Sequence, residues 1–397
     1  MMHERQAGPS LAAPIETRPA QAGRPSIVQA RRPLRVAWHV ASFNERRASL
    51  RYRCIYPMAS LRQSGVDAVL FDEGAEQQVD CVVFDAWSLF PTVNGGRDED
   101  ALPTLVQRLK ARGVRIVLDN CDNQFSGVLG EGWERALVRL REVAAAADVV
   151  VTCSAELAQV MQRECALTSL PYVIGDPVES RIRYTEDNVL RSLLSPGRKL
   201  SWARHLAHRA RLTAERARGL TPMVWFGSHG NQFAEGGMLD LERVIPTLEK
   251  LNRERPLSLT VISNNRGKFD THFAQQAFPC HYLEWDRVNF LATLKLHAIS
   301  LIPATLNDFT RCKSANRLTL SLHHGLNVVA DAIPSYVEFS SACQLDDWER
   351  GLRRYLDSPA LRRQHLLEGQ RLSRERCSHE RIGNQWQDAL SAAVDKP

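Results

Sequence analysis

The chain has no apolar run near the ~20 residues that a helix needs to span a bilayer. Its N-terminus lacks the apolar core of a signal peptide. The nine cysteines, at 54, 81, 121, 153, 165, 280, 312, 343 and 377, form no Cys-x-x-Cys pair and no Cys/His spacing suited to a metal. Their number is odd, and several lie in apolar runs such as Asp80-Cys81-Val82-Val83. Reduced core thiols in a cytoplasmic protein are therefore expected, in place of a disulfide framework. No Gly-x-Gly-x-x-Gly fingerprint follows a strand, which argues against a dinucleotide. Asp-x-Asp is also missing where a divalent ion would need it, since Asp119-Asn120-Cys121-Asp122 is spaced one residue too widely. Charge of neither sign dominates. Net charge is +6 and the pI about 8.9, spread along the chain. That mild basicity suits an anionic ligand or a membrane surface and does not by itself indicate nucleic acid.

What is present is a globular composition, 44% hydrophobic and 24% charged, in 397 residues, long enough for two domains. Residues 1–32 are rich in Pro, Ala, Gly, Gln and Arg without periodicity and read as a disordered tail. Short apolar strands then alternate with helical patterns. The strands are expected at 34–41, 67–71, 81–86, 115–120, 149–153 and 172–175, with helices at 49–63, 101–112, 133–147 and 155–164. The pattern breaks over 179–220. It resumes with strands at 223–226, 257–262, 281–284, 299–303 and 327–330 and helices at 238–253, 286–297 and 313–324. Amphipathic helices at 345–357, 360–374 and 379–393 close the chain. Such alternation predicts parallel sheets covered on both faces. The fold expected is α/β, two tandem Rossmann-like doubly wound domains facing a central cleft. The boundaries are an N-terminal domain over 33–180, a basic helical linker or insertion over 181–220, a C-terminal domain over 221–378, and a last helix over 379–397 that can cross back to the first domain.

The densest chemical signal is Lys313-Ser314-Ala315-Asn316-Arg317-Leu318, followed by His323-His324-Gly325-Leu326-Asn327-Val328-Val329-Ala330. It reads as a helix that opens on cations, closes at a glycine and delivers a buried strand. Lys313 and Arg317 are four apart and share a helical face. Cations oppose the dipole at a helix start, so they make sense there if an anion such as a diphosphate joins them. Alone, the same stretch also fits a surface helix with solvated cations. Ligands bind open α/β sheets outside the carboxyl ends of strands, and four polar loops fall there. They are Gly227-Ser228-His229-Gly230-Asn231, Thr305-Leu306-Asn307-Asp308, Asp119-Asn120-Cys121-Asp122, and Ser42-Phe43-Asn44-Glu45-Arg46-Arg47.

In order along 34–395, several segments resemble the GT-B nucleotide-sugar glycosyltransferases, most closely the large retaining family that builds cell-surface polysaccharides and lipid-linked glycans. Ser49-Leu50-Arg51-Tyr52-Arg53 resembles the segment after the first strand. Asp148 to Leu157 resembles the end of the N-terminal domain, and Trp225-Phe226-Gly227-Ser228 the opening of the C-terminal one. Lys313 to Ala330 resembles the donor-site helix and strand. The chain departs from the family pattern at its two glutamates eight residues apart: those positions are Cys312 and Leu320.

The resemblance implies transfer of a sugar from a nucleoside-diphosphate sugar to a glycan or lipid-linked acceptor, retaining and metal-independent, with no cofactor beyond the co-substrate. Lys313 and Arg317 are the residues expected to stabilise the leaving group, helped by backbone N–H groups of Gly227 and Ser228. Asp119 or Asp122 would supply a base if the reaction inverts. Donor contacts are expected from Gly227, Ser228, His229, Asn231, Trp285, Ser314 and Asn316, with Arg266 and Lys268 as substitutes for the family's phosphate-binding cations. Acceptor contacts are expected from Ser42, Asn44, Arg46, Arg47 and Arg51. Two other readings stand beside this one. A nucleotide-sugar epimerase would need paired carboxylates that Cys312 and Leu320 do not supply. A non-catalytic GT-B protein would bind a nucleotide sugar or assist a partner transferase.

The segment 195–220 carries Leu200, Ala203, Ala207, Ala210, Ala214 and Ala217 at helical spacing, with arginines around them. A basic amphipathic helix can lie on an anionic membrane surface, here at the inner face of the membrane. Its stripe is mostly alanine, which buries little, so a solvated linker helix packed on the domain junction fits as well.

Overall fold

A computed structural model describes residues 32–90, 101–127, 130–180, 196–230 and 236–396. Residues Leu34–Pro397 form one compact unit. The described residues hold two six-stranded sheets, parallel throughout. In the first, β1 (Arg35–His39), β2 (Asp67–Leu70), β3 (Cys81–Asp85), β4 (Arg115–Asn120), β5 (Val149–Thr152) and β6 (Tyr172–Val173) run in the order β2-β1-β3-β4-β5-β6. In the second, β7 (Thr221–Phe226), β8 (Leu257–Ser263), β9 (Cys280–Glu284), β10 (Ile299–Ile302), β11 (Asn327–Ala330) and β12 (Gln344–Leu345) run in the order β12-β11-β10-β7-β8-β9. The chain reverses direction across the first sheet between β1 and β3, and across the second between β7 and β10. A crevice at the carboxyl ends opens at each reversal.

The strands are near-continuous apolar runs because both faces are covered. All seven residues of β8 are buried, for example. Separate apolar clusters lie on the two faces of each sheet. The last helix, His379–Val394, packs on the first sheet. Its Ile382, Trp386, Ala389, Leu390 and Ala393 join the same cluster as Trp38 and Val83.

Several expected elements differ, among them these three. The helix expected from 345 begins at Trp348, because Leu345 is taken by β12, which pairs with β11, and Asp347 caps the helix by accepting from the Arg350 N–H. Arg266 and Lys268, which no expected helix covers, sit in a helix, Arg266–His272, which Asn265 caps by accepting from the Lys268 N–H. The helix expected from 49 opens with a short turn and then a π-turn, Arg51–Ile55, before continuing as Tyr56–Gln63. π-turns interrupt helices mostly at functional positions. This one sends Arg51, Tyr52 and Arg53 into the interior together.

Candidate functional site

The carboxyl ends of both sheets open onto one cleft of about 540 Å³. From the second sheet, the turn after β7 brings Gly227 and Ser228, the segment after β8 brings Asn264, and that after β9 brings Trp285. Ser314, Lys313 and Arg317 reach it from the segment before β11, and Arg46, Arg47 and Arg51 enter from the loop after β1. Five cationic side chains, Arg46, Arg47, Arg51, Lys313 and Arg317, thus border one cavity.

Lys313 is not in the first turn of a helix, as the sequence pattern predicts. The helix is Asn316–His323, and Lys313 precedes it in extended backbone, with φ −69° and ψ 148°. The cause lies across the cleft. Lys313 Nζ donates to Asp122 Oδ1 and sits 4.0 Å over the Phe309 ring. Ser314 Oγ and Asn316 Nδ2 both donate to Asp176 Oδ2, at 2.5 and 3.3 Å. Burial works against the Lys313 ammonium, but the Asp122 carboxylate more than offsets it, and the lysine pKa is raised. Arg317 lies in the first helical turn beside Gly227. A Cβ on Gly227 would stand 3.3 Å from the Trp225 ring and 3.4 Å from Arg317 Nη1, so glycine lets the guanidinium approach this turn. The Gly227 N–H is not available to a ligand as expected, because it donates to the Ile262 carbonyl at 3.2 Å.

Two buried ion clusters support the first-sheet wall. Arg51 Nε and Nη2 donate to Glu179 Oε1 and Oε2 at 2.5 and 3.0 Å, and its Nη1 donates to the carbonyls of Glu45 and Arg46. Tyr52 and Tyr56 hydroxyls also donate to Glu179. The guanidinium lies 5.1 Å from the Trp285 ring centre. Arg51 borders the cleft, but its donors are spent on holding the 45–46 loop, which corrects its expected role as an acceptor ligand. Asp119 is corrected likewise. It is only 4% exposed, and Arg53 holds both of its oxygens while reaching Asp176 and the Ile174 carbonyl. Burial raises the Asp119 pKa and Arg53 counters it. Asp119 is a structural anion and not a base facing the cleft.

The remaining expected residues divide by position. Trp285 and Asn316 border the cleft. Asn231 lies outside the described residues. The His229 N–H reaches Asn264 Oδ1 at 3.4 Å, and its carbonyl accepts from Lys268 Nζ, so that lysine braces the loop. Arg266 pairs with Asp270 and lies over Tyr282, on a different, smaller pocket. Ser42 Oγ accepts from Arg47, and Asn44 Oδ1 accepts from the Arg46 N–H, so both shape the loop that carries the two arginines.

Sequence reasoning missed Asn264, Asp240, Thr310 and Tyr336, which border the cleft, and Asp176 and Glu179, which anchor it. The polar ends of β8 and β11 signal the first and last of the lining residues. Asp176 and Glu179 carry no such signal, since each is defined by an arginine more than a hundred residues away in sequence. Asp85, at the end of β3, was also missed; burial pushes its pKa up to about 6. At the two positions where the family carries glutamate, Leu320 lies against the cleft, and Cys312 is buried in the first sheet's apolar cluster.

Paired doubly wound sheets with a shared cleft define the GT-B architecture, and this chain has the fold of the GT-B nucleotide-sugar glycosyltransferases. Among similar solved structures is HepE from Anabaena in complex with UDP-glucose, at TM-score 0.56 and 10% identity, covering 90% of this chain and 100% of that one. WaaG, a glycosyltransferase involved in lipopolysaccharide biosynthesis, aligns at TM-score 0.53 and 12% identity over 91% of this chain and 100% of its own. OtsA in its apo form aligns at TM-score 0.52 and 13% identity over 87% and 82%. No family model matches the chain, and no curated protein matches it in sequence. Among the described residues, no helix is long and apolar enough to cross a membrane.

Proposed function

We propose that this protein is a glycosyltransferase that takes a sugar from a nucleoside-diphosphate sugar and passes it to a glycan or lipid-linked acceptor. One observation carries the reading: Arg46, Arg47, Lys313 and Arg317 converge on a single cleft at the reversal points of two parallel sheets. Leaving-group charge is the main electrostatic problem in such a transfer, and preorganised cations in a cleft solve it without reorganisation in the transition state. Lys313 leaves Asp122 for the diphosphate, Arg317 takes a second phosphate oxygen, and the Ser228 N–H assists. The acceptor oxygen bonds to the anomeric carbon on the face from which the phosphate oxygen leaves, the departing phosphate takes the acceptor proton, and configuration is retained. Arg46 and Arg47 face the acceptor, which is anionic. The three relatives support the reading through their fold, and HepE through the UDP-glucose bound to it.

The test is thermal-shift and calorimetric titration with nucleoside diphosphates, in EDTA. Charge-assisted contacts are worth about 1.5–3 kcal/mol each. Lys313→Ala with Arg317→Ala should therefore weaken binding by a hundredfold or more, on the order of 3 kcal/mol, and leave the unliganded melting point nearly unchanged. Unaltered affinity in the double variant sinks the assignment, and affinity that disappears in EDTA sinks the metal-free part of it. The second reading, a nucleotide-sugar-binding protein without catalysis, is favoured by Leu320 and Cys312 at the carboxylate positions. Donor turnover with any acceptor, or slow donor hydrolysis, excludes it.

A further inference from the structure

The Pro196–Ala217 helix is docked by one narrow face. His205, His208, Leu212 and Glu215 are its buried residues, set at the three- and four-residue steps of a single stripe. His205 Nδ1 meets Thr293 Oγ1 at 2.8 Å, and Glu215 meets His281 at 2.7 Å. Every other side chain from Trp202 to Ala217 is exposed. From Trp202 on, the outward stripe is Trp202, Ala203, Leu206, Ala210, Thr213, Ala214 and Ala217, and Lys199 stands on the same face one turn earlier. It therefore contains two large apolar side chains that the alanine pattern alone did not reveal. Trp202 is 53% exposed, Leu206 49%, and Leu200, at the edge, 53%.

Arginines stand on both margins of that stripe. Arg209 and Arg216, seven apart, lie along one side; Arg204 and Arg211, also seven apart, lie along the other. The helix carries six basic residues and one acid, Glu215, which is turned inward. On the Arg204/Arg211 side, the arginines share a pocket of about 270 Å³ with Arg266 and Tyr282. An occupant of this face must be largely apolar along its centre and anionic on both flanks, over the ~24 Å from Trp202 to Ala217. A protein surface rarely offers that arrangement over such a length. A lipid surface with anionic headgroups offers it everywhere: the tryptophan and leucine enter the acyl boundary, while arginines on both sides reach the phosphates.

We infer that the outward face of the Pro196–Ala217 helix seats the protein on a bilayer surface rich in anionic phospholipid. The inference does not rest on the glycosyltransferase reading, because no donor or acceptor enters it. The helix begins near the cleft: on its inward side Ser201 Oγ donates to Asp286 at 2.5 Å, next to Trp285, which borders the cleft.

The test is sedimentation of the full chain with vesicles of phosphatidylcholine, alone or mixed with phosphatidylglycerol. Binding is expected to the mixed vesicles only, and should weaken in high salt. Trp202→Ala with Leu206→Ala should lower the partition at least tenfold. Arg209→Gln with Arg211→Gln should lower it about fivefold per arginine, the equivalent of ~1 kcal/mol per charge. Both variants should keep the wild-type melting point, since all four side chains are exposed. Failure to bind mixed vesicles, equal binding to neutral ones, or variants that bind as well as wild type would each overturn the inference. So would a dimer in solution that the Trp202/Leu206 variant dissociates, because the face would then belong to a second copy.

Discussion

Two cationic side chains that look alike in sequence, Arg53 and Lys313, do different work. Arg53 is 5% exposed and faces two carboxylates, Asp119 and Asp176, that are themselves buried. Removing one partner from a buried ion cluster leaves charge without compensation, at about 3–5 kcal/mol. Arg53→Ala should therefore lower the urea-unfolding free energy by about that amount, and adding Asp119→Asn should recover part of it. Lys313 faces Asp122 with side chains 38% and 15% exposed, and a pair that water reaches from the lysine side contributes about 1 kcal/mol, well short of a fully buried cluster. If Arg53→Ala proves as mild as Lys313→Ala, the first cluster is not the structural support described above. The contrast separates the two roles: Lys313 can be given up to a ligand at little cost to folding, whereas Arg53 cannot.

At the scale of elements, the Pro196–Ala217 helix is held to the second sheet through histidines. The His208 ring lies 5.5 Å from that of His297, and His297 Nε2 meets Thr260 Oγ1 at 2.9 Å. Burial, with Arg211 next, pulls the His208 pKa down to about 4; burial, with His208 next, pulls that of His297 down to about 3. Both are neutral in the folded chain, while the unfolded histidines bind protons near pH 6.5. The unfolded state thus holds more protons below that pH. The stability is complete above about pH 6.5 and is lost as pH falls toward 4 and then 3. Melting points measured from about pH 7.5 down to 5 should fall in the wild type, and fall less steeply in His297→Gln. Parallel pH profiles for the two proteins would remove the histidines as the cause.

At the scale of the whole molecule, the last helix returns to the first sheet. The His379–Val394 helix closes the first sheet, with fully buried Trp386 against Trp38 at 5.8 Å between ring centres and Arg53 5.4 Å above it. A core Trp→Ala change costs about 3–5 kcal/mol through lost contacts and a cavity. Trp386→Ala should destabilise the whole compact unit by that order in denaturant unfolding. A loss within about 0.5 kcal/mol, as for a surface site, would mean that this helix is an appendage to the first sheet.

The alternation of strands and helices, the parallel sheets and the placement of polar loops at strand ends were all legible in residue order, because apolar periodicity and local turn chemistry are properties of neighbouring residues. Lys313, Arg317, Ser228, Trp285 and the Arg46–Arg47 pair were legible as border residues for the same reason: each follows a strand or precedes the strand that returns to the cleft. Strand β12 was not legible, since two residues carry no period. The functions of Arg51, Asp119 and Glu179 were likewise decided only by tertiary structure. Whether an ionic side chain meets a ligand or a buried counter-charge depends on which distant residue the packed sheets bring to it. Arg51 finds Glu179 across 128 positions, and Lys313 finds Asp122 across 191. Burial then makes the first partnership permanent, and partial exposure leaves the second exchangeable.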